Sequence, residues 1–397
     1  MSSKKTIQEV KVMIYKNFKD TEAKTSLLGY GCMRMPTLGG PGDPVDRVKG
    51  QELIDYAYAH GVNYFDTAYP YHGGDSEKFI GEALAKYPRD TWFLATKLPG
   101  FQLKTHDDVV RIFNEQLEKC GVEYFDFYLC HGIGDENMGP FLDPEIGAIP
   151  FLQQMKAEGK IKRLGFSSHA SPEGLEKFIK AGNWDFAQIQ LNYLDWEYQN
   201  AKRQYEILTE YGLPVIVMEP CRGGRLASLC DEANDILKAS APERSIASWA
   251  FRWIQSRDNV QVCLSGMTTM EQLKDNLAVF DEYDKLSAEE EETLQKAKTA
   301  FLTKFQVPCT ACRYCSACPK ELDIPEILSA YNDVAITDNV YSRGGTIKAL
   351  ISRGEKYEPL ECVGCGTCQR ACPQNIDTPK IMADFAKIIA EIPKQFK

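Results

Sequence analysis

Between about residues 26 and 280, apolar segments rich in β-branched and aromatic residues alternate eight times with helix-like segments, and this repeat constrains the fold more than any other feature. The pattern predicts strands over 26–32, 62–66, 92–97, 125–131, 161–167, 185–190, 214–219 and 260–265. Helices are predicted over 46–60, 77–86, 107–120, 149–158, 172–181, 198–211, 241–255 and 271–280, with Gly61 and Gly121 as stops for two of them. Eight βα units over roughly 250 residues favour an α/β architecture closed as a (β/α)8 TIM barrel. No G-x-G-x-x-G follows any of these strands, which disfavours a dinucleotide-binding open sheet.

A chain of 397 residues is long enough for more than the barrel. The composition changes after Val307, so two domains are expected: the barrel over 1–300 and a small, mainly α-helical domain over 301–397. The acidic stretch SAEEEETLQKAKTAF between them reads as a solvated linking helix. A net charge of −10 argues against nucleic acid as a partner. No apolar run reaches the roughly 18 residues of a membrane span. The opening MSSKKTIQEV has no apolar core of the signal-peptide kind, so a cytoplasmic location is expected. Fourteen cysteines in a reducing compartment point to metal binding or catalysis, not disulfides.

In such barrels chemistry sits at the C-terminal ends of the strands. Asp66 ends the second predicted strand, Lys97 the third and His131 the fourth, and Tyr71 lies in the loop after the second. Four proton-handling groups should therefore meet at one mouth. A lysine cation beside a phenol lowers the cost of its ionisation, which makes Tyr71 a candidate general acid toward a carbonyl oxygen. His131 is placed to orient that carbonyl. The alternative is a satisfied polar cluster that merely closes the barrel end.

These residues, in FDTAYPY, ATK and YLCH, resemble the Asp-Tyr-Lys-His tetrad of the aldo-keto reductases. LGYGCMRMP, DSEKFIGEAL and EQLKDNL extend the resemblance over about residues 26–280. It implies an oxidoreductase that uses NADPH or NADH, without metal, to reduce a small-molecule aldehyde or ketone. Asp66, Tyr71, Lys97 and His131 would be catalytic. By the same resemblance Ser167, Ser168 and Gln188 would meet the nicotinamide amide, with Met218 where the family often stacks an aromatic ring. Gly223, Gly224 and Gly266 would border the pyrophosphate, a place that also suits phosphate in barrels generally. The basic positions for a 2′-phosphate fall on Gly266 and Gln272, and an adenine-contacting position on Asn276. Arg222, Arg225 or Lys274 are candidates to supply the missing charge, and both NADP and NAD stay open.

Eight cysteines fall in two runs: Cys309, Cys312, Cys315, Cys318-Pro319, then Cys362, Cys365, Cys368, Cys372-Pro373. The second has the bacterial ferredoxin spacing, and the first is one residue short before its last Cys. In two-cluster ferredoxins the fourth Cys of a run ligates the other cluster. Cys309, Cys312, Cys315 and Cys372 are therefore assigned to one [4Fe–4S] cluster. Cys362, Cys365, Cys368 and Cys318 are assigned to the other. Two four-cysteine zinc sites are the competing reading. The spacer of about 43 residues carries helix-like PEILSAYNDVA and TIKALISRG, resembling the α-helical ferredoxin domain of electron-transfer subunits. Two functions follow. The chain is an NAD(P)H-dependent carbonyl reductase with two clusters for electron transfer, or an electron-transfer or docking module for a redox partner protein whose barrel no longer turns over carbonyls.

Overall fold

The computed structural model describes residues 13–19, 21–40, 43–198, 200–303, 307–336 and 340–392. Two short strands, β1 (Tyr15–Asn17) and β2 (Lys24–Ser26), pair antiparallel as a hairpin. Eight parallel strands follow: β3 (Leu28–Gly31), β4 (Tyr64–Asp66), β5 (Phe93–Pro99), β6 (Phe125–Ile133), β7 (Ile161–Ser168), β8 (Phe186–Gln190), β9 (Val215–Met218) and β10 (Val260–Ser265). They close into a barrel in chain order, with β10 beside β3. Each lies within one residue or two of its predicted segment, so the (β/α)8 fold stands.

The hairpin was not legible in the sequence. It carries Phe18, which is buried against Phe127 and Phe186 at ring-centroid distances of 5.0 and 6.0 Å, both near edge-on. Tyr64, Ala95, Ile216 and Val262, from early positions in four strands, join the same apolar cluster. Phe18 thus plugs the end of the barrel opposite the strand C-termini, a burial of the size that costs about 3–5 kcal/mol when a Phe is cut to Ala. Packing inside is close enough to require a glycine on β3. A Cβ at Gly29 would lie 2.6 Å from a methyl of Val262.

The helices start where their caps allow. Asp46 accepts from the backbone N–H groups of Val48 and Lys49 to open helix Arg47–Ala59. Thr105 and Asp108 form a capping box at the head of His106–Cys120, which ends on Gly121 at φ 62°. The helix expected over 198–211 is broken: Asp195–Tyr198 and Ala201–Glu210 flank Asn200 at φ 54°. The helix expected over 241–255 begins only at Ile246, because Pro242 drives Ala241 out of the helical region (φ −144°). An unforeseen helix, Asp231–Ser240, precedes it.

By contacts the chain divides into two compact units, Met1–Pro220 with Ala247–Leu286, and Cys221–Ile246 with Ser287–Lys397. The second unit therefore takes in two segments that lie within the expected 1–300 domain. The reason is the acidic helix, Ala288–Leu302, which is not solvated all round as expected. It buries Leu294, Ala297, Ala300 and Phe301 and packs along Asp231–Ser240. The rest of this unit is helical, as expected, with Ile324–Ile336, Val340–Ile351 and Thr378–Glu391 around Ile327, Val334, Ile347 and Phe385. Among the described residues no helix is long and apolar enough to cross a membrane.

Candidate active site and cysteine loops

Asp66 closes β4 in register with Ala95 of β5 and Gly31 of β3. Lys97 lies opposite Leu129, and Pro99 opposite His131. This register brings the charged pair together: Lys97 Nζ donates to Asp66 Oδ1 at 2.5 Å and to the Thr67 carbonyl at 2.7 Å. The two side chains are almost fully buried, Lys97 at 1% and Asp66 at 3% exposure. The same ammonium is 3.5 Å from the Tyr71 hydroxyl and 5.0 Å from the centre of its ring. Tyr71 is half-buried at the start of a 3-10 turn, and its ring stands nearly perpendicular to His131, centroids 6.0 Å apart. Burial, and then the neighbouring Lys97 charge, holds the His131 imidazole well below the usual histidine range. It is therefore neutral at physiological pH and able to donate one N–H.

Two residues near this cluster take unexpected parts. Gln188, placed by resemblance beside the nicotinamide, sends its amide N–H to Asp66 Oδ2 at 3.0 Å, so both carboxylate oxygens are held. The other is His72. It is buried, with its ring nitrogens 3.1 Å from the Asp43 carbonyl and 3.2 Å from that of Cys32. It ties the turn that carries Tyr71 to the loop after β3. Its position next to Tyr71 was the only sequence signal for that role.

Behind Lys97 lies a further buried network. Glu77 accepts from Thr96 and Gln116 at 2.6 and 2.5 Å, and Gln116 also donates to the Lys97 carbonyl at 3.1 Å. Burial raises the Glu77 carboxyl above its ordinary range. The motif DSEKFIGEAL thus places a polar prop under the Lys97 backbone.

The remaining expected cofactor positions are mostly at strand ends. Ser167 accepts from the Gly132 N–H at 2.8 Å and Ser168 from the Ala170 N–H at 3.1 Å. Gln188 lies in register with Ser167 on the neighbouring strand. Met218 ends β9, opposite Gln190. Asn276 donates to Ser265 at 2.9 Å. Gln272 is committed to the helix start, its amide oxygen accepting from the Thr268 and Thr269 N–H groups at 2.8 and 3.3 Å. Gly266 has a basic neighbour that sequence reasoning missed: a Cβ built there would lie 3.0 Å from the Arg34 side chain. Arg222 is no substitute for a phosphate clamp, since it is fully buried. Lys274 lies over the Tyr56 ring. Gly223 and Gly224 fall in the second unit, at φ 67° and 100°.

The two cysteine runs share one backbone device. Ala311 and Arg313 flank Cys312 in the left-handed region, at φ 54° and 65°, and Gly364 and Gly366 flank Cys365 at 67° and 71°. Each run is thereby wound into a tight loop. One hollow is lined by Cys318, Cys362, Cys365 and Cys368. Another is lined by Cys309, Cys312, Cys315, Cys368 and Cys372. Both hollows are lined by cysteines of both runs, one from the first and three from the second in one, three and two in the other. Burial and the neighbouring cysteines push the Cys315 thiol up to about 12. Among the described residues no three Cys, His, Asp or Glu side chains converge closely enough for a single ion. Thiols of both runs around each hollow are the donor type that holds iron–sulfur clusters.

The family model "Aldo/keto reductase family" matches residues 27–299, and "4Fe-4S dicluster domain" matches residues 308–377. The NADH-specific methylglyoxal reductase of Escherichia coli is 26% identical, over 66% of this chain and 91% of its own length. L-galactose dehydrogenase of Arabidopsis thaliana is 25% identical, over 68% of this chain and 89% of its own. Among solved structures, the holo form of aldo-keto reductase AKR11C1 from Bacillus halodurans superposes with a TM-score of 0.60 at 25% identity. It covers 72% of this chain and 96% of its own.

Proposed function

Since this chain belongs to the aldo/keto reductase family and carries a 4Fe-4S dicluster domain, it is an oxidoreductase, and we propose that it reduces a small carbonyl substrate with NADH or NADPH. The observation that carries this reading is the buried Lys97 ammonium, paired with Asp66 and 3.5 Å from the Tyr71 hydroxyl. In the proposed reaction Tyr71 gives its proton to the carbonyl oxygen. Lys97 stabilises the phenolate left behind, and Asp66, held by Gln188, fixes Lys97. Neutral His131 donates a hydrogen bond to the oxygen as charge develops there. The nicotinamide, when bound, supplies the hydride. Ser167, Ser168, Gln188 and Met218 would border it, and Gly266, Gln272 and Asn276 the phosphates and adenosine. Gln272 is neutral and already bonded, the E. coli relative is NADH-specific, and Arg34 is the basic side chain against Gly266. These support weak discrimination between the two nucleotides.

The proposed ligand sets are Cys309, Cys312, Cys315 and Cys372 for one [4Fe–4S] cluster and Cys318, Cys362, Cys365 and Cys368 for the other. Clusters of this kind pass single electrons, and carbonyl reduction by hydride does not require them. A second role, electron exchange with a redox partner protein, is supported by the exposure of Cys365 beside Val363, itself 59% exposed. The reducing cytoplasm suits thiolate ligands. The test is anaerobic purification of the full chain. Iron and sulfide should each approach about eight per chain, and NADH or NADPH should be oxidised by some member of a panel of aldehydes, ketones and quinones. Cys372→Ala should remove the cluster held by the first run. Two zinc ions per chain would end the cluster reading, and nucleotide binding without turnover on the panel would end the reductase reading.

A further inference from the structure

Within the second unit, the loop after β9 sends one side chain into the cysteine region. Arg222 is fully buried, and its backbone holds φ 49°, a conformation that L side chains rarely adopt. Its guanidinium donates to the Pro308 carbonyl at 2.8 Å and lies 3.4 Å from the side-chain oxygen of Gln374. Pro308 immediately precedes Cys309. Gln374 follows Cys372 by two residues and lines the same hollow as Cys309, Cys312, Cys315 and Cys372. One guanidinium therefore reaches the start of the first run and the end of the second. Those two stretches meet at this hollow.

We propose that Arg222 is a positioning residue for the cluster held by Cys309, Cys312, Cys315 and Cys372, and that it raises the reduction potential of that cluster. This rests on the two-cluster reading given above. Reduction adds one negative charge to a cluster. A buried guanidinium bonded to a residue that lines the site stabilises the reduced form, since burial removes the water that would screen it. Its hydrogen bonds also hold the fourth ligand's segment against the first run. Neither Pro308 nor Gln374 lines the hollow of Cys318, Cys362, Cys365 and Cys368, and Cys365 there is exposed. The effect should therefore be confined to one cluster.

The experiment compares full-length wild type, Arg222→Gln and Arg222→Lys, purified without air, by iron and sulfide assay followed by redox titration monitored by electron paramagnetic resonance. Cys365→Ser identifies the signal of the other cluster. The Gln variant is expected to keep its iron and to lower one potential by the equivalent of about tenfold in the reduction equilibrium, 59 mV for one electron. The second potential should not move. The Lys variant, which keeps the charge and one donor, should recover most of the shift. Unchanged potentials in the Gln variant, equal shifts of both clusters, or a Lys variant no better than Gln would overturn the proposal. If Arg222→Gln loses iron from one site, the Lys variant decides: a wild-type potential supports the proposal and a lowered one at full iron refutes it. Wild-type protein without iron would instead overturn the cluster reading itself, and the iron assay reveals that before any potential is measured.

Discussion

Replacing Lys97 by Met separates the structural from the chemical part of the barrel site. The side chain keeps its length and loses its charge. Asp66, only 3% exposed, would lose its contact at 2.5 Å and keep the Gln188 N–H at 3.0 Å. Breaking a buried pair by removing one partner costs about 3–5 kcal/mol, chiefly because a charge is stranded. Since Gln188 still satisfies one oxygen, the lower end, about 3 kcal/mol, is expected. That is within the roughly 5–15 kcal/mol of a folded domain, so the variant should fold. Adding Asp66→Asn removes the stranded charge and should return most of the loss. Turnover should behave differently. Without the ammonium at 3.5 Å, Tyr71 loses the charge that stabilises its phenolate, and carbonyl reduction should fall by about two to four orders of magnitude in both variants. Urea unfolding midpoints followed by circular dichroism, beside anaerobic nucleotide oxidation, give the two readouts. A loss below about 1 kcal/mol for Lys97→Met would refute the buried-pair argument. A double variant that regained activity together with stability would refute the role given to Lys97.

Tyr71→Phe should leave nucleotide binding, read by fluorescence titration, nearly intact and lower turnover by about two to four orders of magnitude; loss of binding without a change in turnover of bound enzyme would exclude it as the proton donor. The ratio of NADPH to NADH efficiency should stay below about a hundredfold, or 2.7 kcal/mol. Arg34→Ala should reduce whatever preference for NADPH exists, and a larger preference that survives this change would place the phosphate contact elsewhere. In acid the barrel should lose stability. Burial depresses His131 well below 6.5 and His169 to about 4, so the unfolded chain binds the protons that the folded one refuses. Each contributes a loss of up to about 1.4 kcal/mol per pH unit as pH falls below 6.5 toward its folded-state value. His131→Gln should flatten that slope in unfolding midpoints measured from pH 7.5 to 5, and an unchanged slope would contradict the burial argument.

Local periodicity carried much of this. An α/β repeat announces its strands because each is a short apolar run bounded by turn residues, and eight of them leave few ways to hide every face from water. The cysteine spacing likewise limits what loops of that length can wrap. Both signals lie within a few residues of chain. The sequence by itself therefore determined the barrel, the placement of Asp66, Lys97 and His131 at or near strand ends, and the two cysteine runs. What it left open depended on pairs far apart in the chain. Gln188 reaches Asp66 across 122 residues. Phe18 plugs a barrel whose nearest sequence neighbours give no hint of a hairpin's use. His72 turns inward because the Cys32 and Asp43 carbonyls await it. The acidic helix Ala288–Leu302 reads as solvated until Asp231–Ser240 covers its apolar stripe. Arg222 looks like a phosphate ligand from its loop and is instead buried between two segments 66 residues apart, Pro308 and Gln374. Periodicity tells which face of an element is apolar. Only closure of the chain decides which distant group that face, or a charge beside it, will meet.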